Sequence, residues 1–191
     1  MLTGPMRRVF RPLVLVLVAL GGCGGGSGGH HVPDQAQARQ QLHGSPAALA
    51  GLHAQAGDLL GGGSPAFQRR MAGLRGHAVI VNKWAAWCAP CRLEFPVLQR
   101  VSVKLGKQVG FLGLDARDRT SAARRFLRSH PTSYPSYVDP REAISSSQRA
   151  PEGMPITNFY DADGALVYQH AGPYTTDKAL EADVRRYLPG S

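Results

Sequence analysis

The sequence predicts an α/β fold in which a central mixed β-sheet is flanked by helices and preceded by an N-terminal helical extension. Two apolar runs, at residues 78–84 and 109–114, alternate with helical patterns, as do parallel strands that are covered on both faces. A later pair of strand patterns is joined by residues 161–164, Asp-Ala-Asp-Gly, which are typical of a hairpin turn. With 191 residues, 43% of them hydrophobic, the chain can bury the core of one such domain.

Residues 1–22 are predicted to be a signal peptide. Three arginines lie in residues 7–11, and residues 13–20 are an apolar run that is too short to span a bilayer. The next residues, Leu-Gly-Gly-Cys at 20–23, resemble the lipobox of bacterial lipoproteins, which implies that Cys23 is acylated after cleavage. The alternative is an ordinary secretory signal in which Cys23 is a stray thiol. The export route, general secretory or twin-arginine, stays open.

Residues 23–44 are predicted to be a flexible lipoprotein tether, because they are rich in Gly, His, Gln and Ala and have almost no large apolar side chains. The folded domain is then expected over residues 45–191. It begins with a helix from an N-cap at Ser45 to Leu60 and a second helix over residues 64–76.

The remaining elements follow in a regular order of strand, helix, strand and helix, which implies a parallel pair of strands. They are a strand over 78–84, a helix over 90–105 kinked at Pro96, a strand over 109–114, a helix over 121–129, an extended segment over 130–140, a weak helix over 141–148, hairpin strands over 153–160 and 165–170, and a final helix over 176–187.

The most informative motif is the Cys-x-x-Cys pair of Cys88 and Cys91, which follows the first long strand and opens the next helix. A cysteine at a helix start meets unpaired backbone N–H groups and the positive end of the helix dipole, which stabilise its thiolate. With Cys23 as the anchor, Cys88 and Cys91 are the pair left to form a disulfide in an exported chain. This arrangement is what dithiol redox chemistry requires.

Two segments carry a family resemblance: residues 81–96, Val-Asn-Lys-Trp-Ala-Ala-Trp-Cys-Ala-Pro-Cys-Arg-Leu-Glu-Phe-Pro, and residues 153–155, Gly-Met-Pro. They resemble the thioredoxin superfamily and, within it, the membrane-anchored TlpA/ResA-like (DsbE-like) branch. The resemblance covers about residues 76–188. It implies a thioredoxin fold and an extracytoplasmic thiol-disulfide oxidoreductase, a reductase of specific partners, with cytochrome c maturation as a candidate setting. It implies no cofactor besides the redox-active disulfide.

The resemblance also implies roles for individual residues. Cys88 would attack as a thiolate, and Cys91 would resolve the mixed disulfide. Pro155 matches the family's cis-proline, which exposes the backbone of Met154 to a substrate strand. Pro90 lacks an N–H at a helix start, where one would be unpaired anyway.

Three further side chains are expected to support the cysteines. Asn82 lies where thioredoxin itself has a buried aspartate, so this chain departs from thioredoxin there. Glu94 matches an acidic residue of the TlpA/ResA-like branch and is expected to tune the thiol pKa; the alternative is a solvated helix charge. Trp87 is expected to be an exposed lip beside the disulfide, and Trp84 a core residue.

The implied partners are client proteins with cysteine pairs, such as apocytochrome c or copper-site proteins, and a membrane thiol electron donor of the DsbD or CcdA kind. Contact with the membrane would be through the lipid on Cys23; without acylation the protein would be secreted. The formal net charge of +9 falls to +6 once the three arginines of residues 7–11 are removed. No basic cluster interleaved with aromatics is present, so a nucleic-acid partner is not expected.

Three alternatives use the same motif differently. A DsbE-like oxidant would run the exchange in the opposite direction. A copper or zinc carrier would add ligands such as His30 and His31, but structural zinc takes four ligands and no metal site is predicted. A peroxiredoxin-type peroxidase expects Thr or Ser three residues before its reactive cysteine, where this chain has Ala85.

Overall fold

A computed structural model describes Met1, Gly4, residues 31–148 and residues 152–190. The chain divides into Met1–His30 and His31–Ser191. The predicted signal peptide, Cys23 and the lipobox lie outside the described residues. Every described helix is too short or too polar to cross a lipid bilayer.

One mixed sheet organises His31–Ser191, as the sequence predicts, with strand order β1-β4-β3-β2-β5-β6. Its strands are β1 (Leu59–Leu60), β2 (Ala78–Trp84), β3 (Val109–Ala116), β4 (Ser136–Asp139), β5 (Ile156–Tyr160) and β6 (Leu166–Ala171). The strands β1, β4, β3 and β2 run parallel to one another, whereas β5 runs antiparallel to both β2 and β6. The two central strands β2 and β3 are buried along their whole length, because helices cover both faces of the sheet.

Seven helices surround the sheet among the described residues: α1 (Gln35–Leu42), α2 (Ala47–His53), α3 (Gly63–Gly73), α4 (Ala89–Leu105), α5 (Thr120–Ser129), α6 (Ala143–Ser147) and α7 (Asp177–Tyr187). Alternate residues of β2 face opposite sides of the sheet. Ile80 packs in a core cluster with side chains of α4 and α7, and Val79 packs in a second cluster with side chains of α2 and α3. A third cluster joins Trp84, both cysteines of the motif and side chains of α5.

The predicted flexible tether of residues 23–44 is wrong for residues 35–42, which form α1. Asp34 caps this helix by accepting the N–H groups of Ala36 and Gln37 at 2.8 Å each. Composition did not reveal the helix because its docking depends on few side chains, chiefly Leu42, which is 4% exposed. The unit that contains the sheet therefore includes residues 31–44 as well as residue 45 onward.

The predicted helix of residues 45–60 is also too long. The helix α2 has Pro46 as its N-cap and ends at His53, and β1 pairs in parallel with Ser136 and Tyr137 of β4. The turn between them contains Gly57 in the left-handed region with φ 73°. A short strand that pairs with a segment more than seventy residues away leaves little local pattern in the sequence.

We expect Leu42→Ala to lower the free energy of unfolding by about 2–3 kcal/mol, because it removes a buried side chain from the contact between α1 and the domain. A Cβ atom on Gly106 would lie 2.7 Å from Leu42 Cδ2, so the fit there is close. Urea denaturation of the disulfide form measures the change. The exposed Gln40→Ala on the same helix is the control, and equal effects of the two substitutions would contradict the docking of α1.

Candidate active site

The two cysteines of the motif form a disulfide at the start of α4, with 5.3 Å between their Cα atoms. Cys88 is the N-cap residue of α4, and the backbone N–H of Cys91 points at its sulfur with an N···Sγ distance of 3.2 Å. Pro90 lies in the first turn of α4, where backbone N–H groups have no partner within the helix. The missing N–H of proline therefore costs no helical hydrogen bond. Cys88 is 3% exposed and Cys91 is fully buried, so only Cys88 presents any surface to a partner.

The peptide bond between Met154 and Pro155 is cis. It lies directly before β5, and the carbonyl oxygen of Met154 is 3.9 Å from Cys88 Sγ. Two segments of the family resemblance, more than sixty residues apart, thus meet at the disulfide. The backbone of Met154 is in position to face a peptide bound over Cys88.

A buried hydrogen-bond network surrounds the carboxyl group of Glu94, which is fully buried on α4. The Nδ2 group of Asn82 donates to Glu94 Oε1 at 2.8 Å and to Thr157 Oγ1 at 3.1 Å. The backbone N–H of Tyr174 donates to Glu94 Oε2 at 3.2 Å. The network therefore links β2, α4, β5 and the segment before α7 around one ionisable group.

Burial raises the pKa of Glu94 from its ordinary value of 4.5 to about 7, although the hydrogen bonds from Asn82 and Tyr174 lower it in part. Glu94 is one helical turn from Cys91 in α4, and both residues are fully buried. The alternative of a solvated helix charge is wrong. A carboxyl group that titrates near neutral pH beside a dithiol is able to hold or release a proton during exchange.

The turn before Cys88 and the loop after β3 border the disulfide. Trp87 is 58% exposed, and its indole N–H donates to the carbonyl of Arg117 at 3.0 Å. Arg117 has a left-handed backbone with φ 54°, which is uncommon for a residue with a side chain. The carboxylate of Asp118 accepts the N–H of Ala86 at 2.6 Å. These two hydrogen bonds join the turn before Cys88 to the loop after β3.

Trp84 lies beneath the disulfide and is 1% exposed, as expected of a core residue. It contacts Phe95 edge-on, with 5.0 Å between ring centroids, and its indole N–H donates to Ser136 Oγ at 3.2 Å. Gly113 permits this contact, because a Cβ atom there would lie 2.8 Å from Trp84 Nε1. The aromatic packing gives the Cys-x-x-Cys turn a rigid base.

Sequence reasoning missed four polar residues of the site: Thr157, Tyr174, Asp115 and Asp118. Asp115 lies near the end of β3 and is 2% exposed. Burial is the largest cause, and the charge of Asp118 the next, of a pKa raised to about 8. Polar side chains at the carboxyl ends of neighbouring parallel strands were the available signal for Asp115. No local signal identified Tyr174, because it contributes a backbone N–H.

Comparisons with known proteins bear on this chemistry. The Redoxin family model matches residues 64–187. A Paracoccus denitrificans protein named thiol:disulfide interchange protein DsbE homolog is 36% identical over 113 residues, which cover 58% of this chain and 57% of that protein. The thiol:disulfide interchange protein HelX of Rhodobacter capsulatus is 36% identical over 138 residues, 69% of this chain and 73% of that protein.

Among solved structures, a thiol:disulfide interchange protein of the thioredoxin family from Chlorobium tepidum superposes with a TM-score of 0.53 and 25% identity. The match covers 61% of this chain and 83% of that one. The thioredoxin fold that the sequence predicts is thus confirmed. The chain spans a little over half the length of the Paracoccus denitrificans relative.

Proposed function

Since the chain belongs to the Redoxin family, we propose that it is an extracytoplasmic thiol-disulfide oxidoreductase. It exchanges the Cys88–Cys91 pair with cysteines of partner proteins. The observation that carries the proposal is the disulfide itself: Cys88 caps α4 beside the carbonyl of Met154, while Cys91 is buried behind it.

The proposed reaction has two steps, each of which breaks one S–S bond and forms another. In the reduced protein, the Cys88 thiolate attacks a client disulfide, forms a Cys88–client mixed disulfide and releases one client thiolate. The Cys91 thiolate then attacks Cys88 Sγ, closes the Cys88–Cys91 disulfide and releases the second client thiolate. The client gains two electrons and two protons, and a membrane thiol donor of the DsbD or CcdA kind would reduce the protein again.

The helix start supports Cys88 as the attacking thiolate. The N–H of Cys91 points at the sulfur, and the helix dipole favours negative charge at this position. A free thiol with a pKa of about 8.5 is only about 3% ionised at pH 7, whereas a pKa near 7 gives about half. The environment of Cys88 therefore favours attack at neutral pH.

Glu94 is proposed to take the proton of Cys91 as that thiol becomes the second nucleophile. Its carboxyl group titrates near pH 7, so it is partly ionised under the conditions of exchange. Asn82 is a positioning residue in this proposal, because its amide orients Glu94 and bonds to Thr157 of β5.

Met154, Pro155 and Trp87 are proposed to receive the client. The cis bond leaves the backbone of Met154 beside Cys88, where an extended client segment can lie against it. Trp87, the residue before Cys88, adds an exposed aromatic surface. The family resemblance favours apocytochrome c, and hence cytochrome c maturation, as the setting.

The experiment that tests the function is a glutathione redox titration of the purified protein together with an insulin reduction assay. We expect a reversible two-electron transition and catalysed reduction of insulin. A potential above about −150 mV would make the protein an oxidant instead of a reductase. Absence of any exchange would exclude the oxidoreductase function.

We also propose that the protein is anchored to the bacterial cell membrane by acyl chains on Cys23. The support is the charged segment, the apolar run and the Leu-Gly-Gly-Cys sequence of residues 20–23. Metabolic labelling with a radioactive fatty acid is expected to label the wild-type protein and not Cys23→Ser. Equal labelling of both would contradict acylation at Cys23.

A further inference from the structure

The surface beside the disulfide carries arginines that have no acidic partner. Arg92, Arg117 and Arg119 are exposed, and we call them the arginine rim. None of the three takes part in an ion pair among the described residues. Residues 119–138 contain four arginines and not one Asp or Glu. Unpaired charges concentrated on one side of a reactive group produce a positive potential there.

Contacts of Arg92 and Arg117 attach the arginine rim to the reactive turn, and the carboxylate of Asp118 links the backbone of Arg119 to Ala86. Arg92 follows Cys91 directly, and its guanidinium lies 5.8 Å from the ring centroid of Phe126 in α5. Phe126 packs in the same core cluster as both cysteines. The carbonyl of Arg117 accepts the indole N–H of Trp87. Arg117 has a left-handed backbone, and its side chain is exposed.

The acidic groups near this surface offset only part of its charge. Asp118 is half-buried, and its two oxygens accept the N–H groups of Ala86 and Arg119 at 2.6 Å each. Asp115 is buried, and its pKa, raised to about 8 by burial and by the charge of Asp118, favours its uncharged form at neutral pH. Burial likewise withdraws Glu94 from the surface. One half-buried carboxylate therefore stands against three exposed guanidinium groups, and the net charge that a docking partner meets on this side is positive.

Exposed apolar side chains complete the surface. Trp87 is 58% exposed and Leu93, in the first turns of α4, is 70% exposed. They are two of the few large hydrophobic side chains that the described residues leave exposed, and both lie within five residues of a motif cysteine. A partner that covers Cys88 would bury apolar area and place its own charges against the arginines.

We propose that the arginine rim selects clients in which acidic residues flank the reactive cysteine. This inference rests on the proposed function and adds the charge of its substrate. Carboxylates beside the client cysteine would pair with Arg92, Arg117 or Arg119 while the client sulfur meets Cys88. The client disulfide is reduced to two thiols, and the protein ends as the Cys88–Cys91 disulfide.

The test compares two synthetic peptides with one intramolecular disulfide each. They differ only in two residues beside the first cysteine, Asp in one and Asn in the other. The reduced full-length protein is expected to reduce the acidic peptide about tenfold faster at about 20 mM salt, and the ratio should fall towards one at about 200 mM.

A triple variant, Arg92→Gln, Arg117→Gln and Arg119→Gln, is expected to bring the ratio of the two rates close to one at low salt. Because the ratio compares two peptides on the same variant, any change in reactivity or folding that affects both rates equally cancels. The control has the same charge change at exposed residues of α3 and α7: Arg69→Gln, Lys178→Gln and Arg186→Gln. It should keep the preference, because these side chains lie on other elements.

The outcomes separate this inference from the proposed function. If the wild-type protein reduces neither peptide, the oxidoreductase function fails. If it reduces both at equal rates, or if both triple variants lose the preference equally, the arginine rim does not select clients. If the rim variant keeps the preference but loses salt-sensitive binding to phosphatidylglycerol vesicles, the surface contacts membrane headgroups and the proposal is overturned.

Discussion

Cys88→Ser is expected to reduce the rate of insulin reduction by about three orders of magnitude or more, to that of the uncatalysed control. A serine hydroxyl at the start of α4 cannot form a disulfide, and the buried Cys91 has no exposed surface from which to replace it. The measurement is the turbidity of reduced insulin with dithiothreitol as the electron source. Cys23→Ser, which alters the third cysteine of the chain, is the matched control and should keep full activity.

Cys91→Ser is expected to fail in a different way. Cys88 remains able to attack, so a stable mixed disulfide with the client should accumulate to one equivalent per protein. Mass spectrometry of the trapped complex measures it, and mutation of Cys88 in the same chain should prevent it. Full activity in either single variant, or a client trapped on Cys91, would contradict the proposed order of attack.

Glu94→Gln is expected to change how stability depends on pH. The pKa of Glu94 is raised from 4.5 to about 7 in the folded protein. The folded state therefore binds the proton more tightly than the unfolded state, so this stabilisation is complete below pH 4.5 and is lost as pH rises through 7. The difference between the two pKa values, 4.5 and about 7, corresponds to about 3 kcal/mol of unfolding free energy.

Urea denaturation of the disulfide form between pH 4 and pH 8 measures this effect. The wild-type protein should lose about 3 kcal/mol of unfolding free energy from this group, whereas Glu94→Gln should lose much less over the same interval. Glu152→Gln, at an exposed position, is the control and should follow the wild type. Parallel curves for the wild type and Glu94→Gln would show that Glu94 does not titrate near pH 7.

The same variant tests the role of Glu94 in exchange. If Glu94 accepts the proton of Cys91, Glu94→Gln should slow resolution of the mixed disulfide at neutral pH. It should also lower the pKa of that thiol, because a neutral amide replaces a carboxylate that disfavours a second negative charge nearby. Thiol alkylation rates measured across pH report both cysteines. Unchanged titrations of Cys88 and Cys91, with an unchanged reduction rate, would make the role of Glu94 structural only.

The order of elements after residue 76 was predictable because each leaves a strong local pattern. The apolar run of β2 and the Asp-Gly turn between β5 and β6 depend on neighbouring residues alone, and the structure places both as predicted. The elements before residue 76 were less predictable. The helix α1 depends on the docking of Leu42, and β1 depends on pairing with β4.

The sequence by itself determined the identity of the reactive pair and its position at a helix start, because Cys-x-x-Cys spacing and helix polarity are local properties. Only the tertiary structure decided what surrounds that pair. It placed Glu94 in a closed site against Asn82 and Tyr174, and it brought Met154 and the arginine rim to the same disulfide. Burial and contacts with residues distant in the chain set the pKa of a group such as Glu94. The spacing of residues along the sequence gives neither the burial nor those contacts.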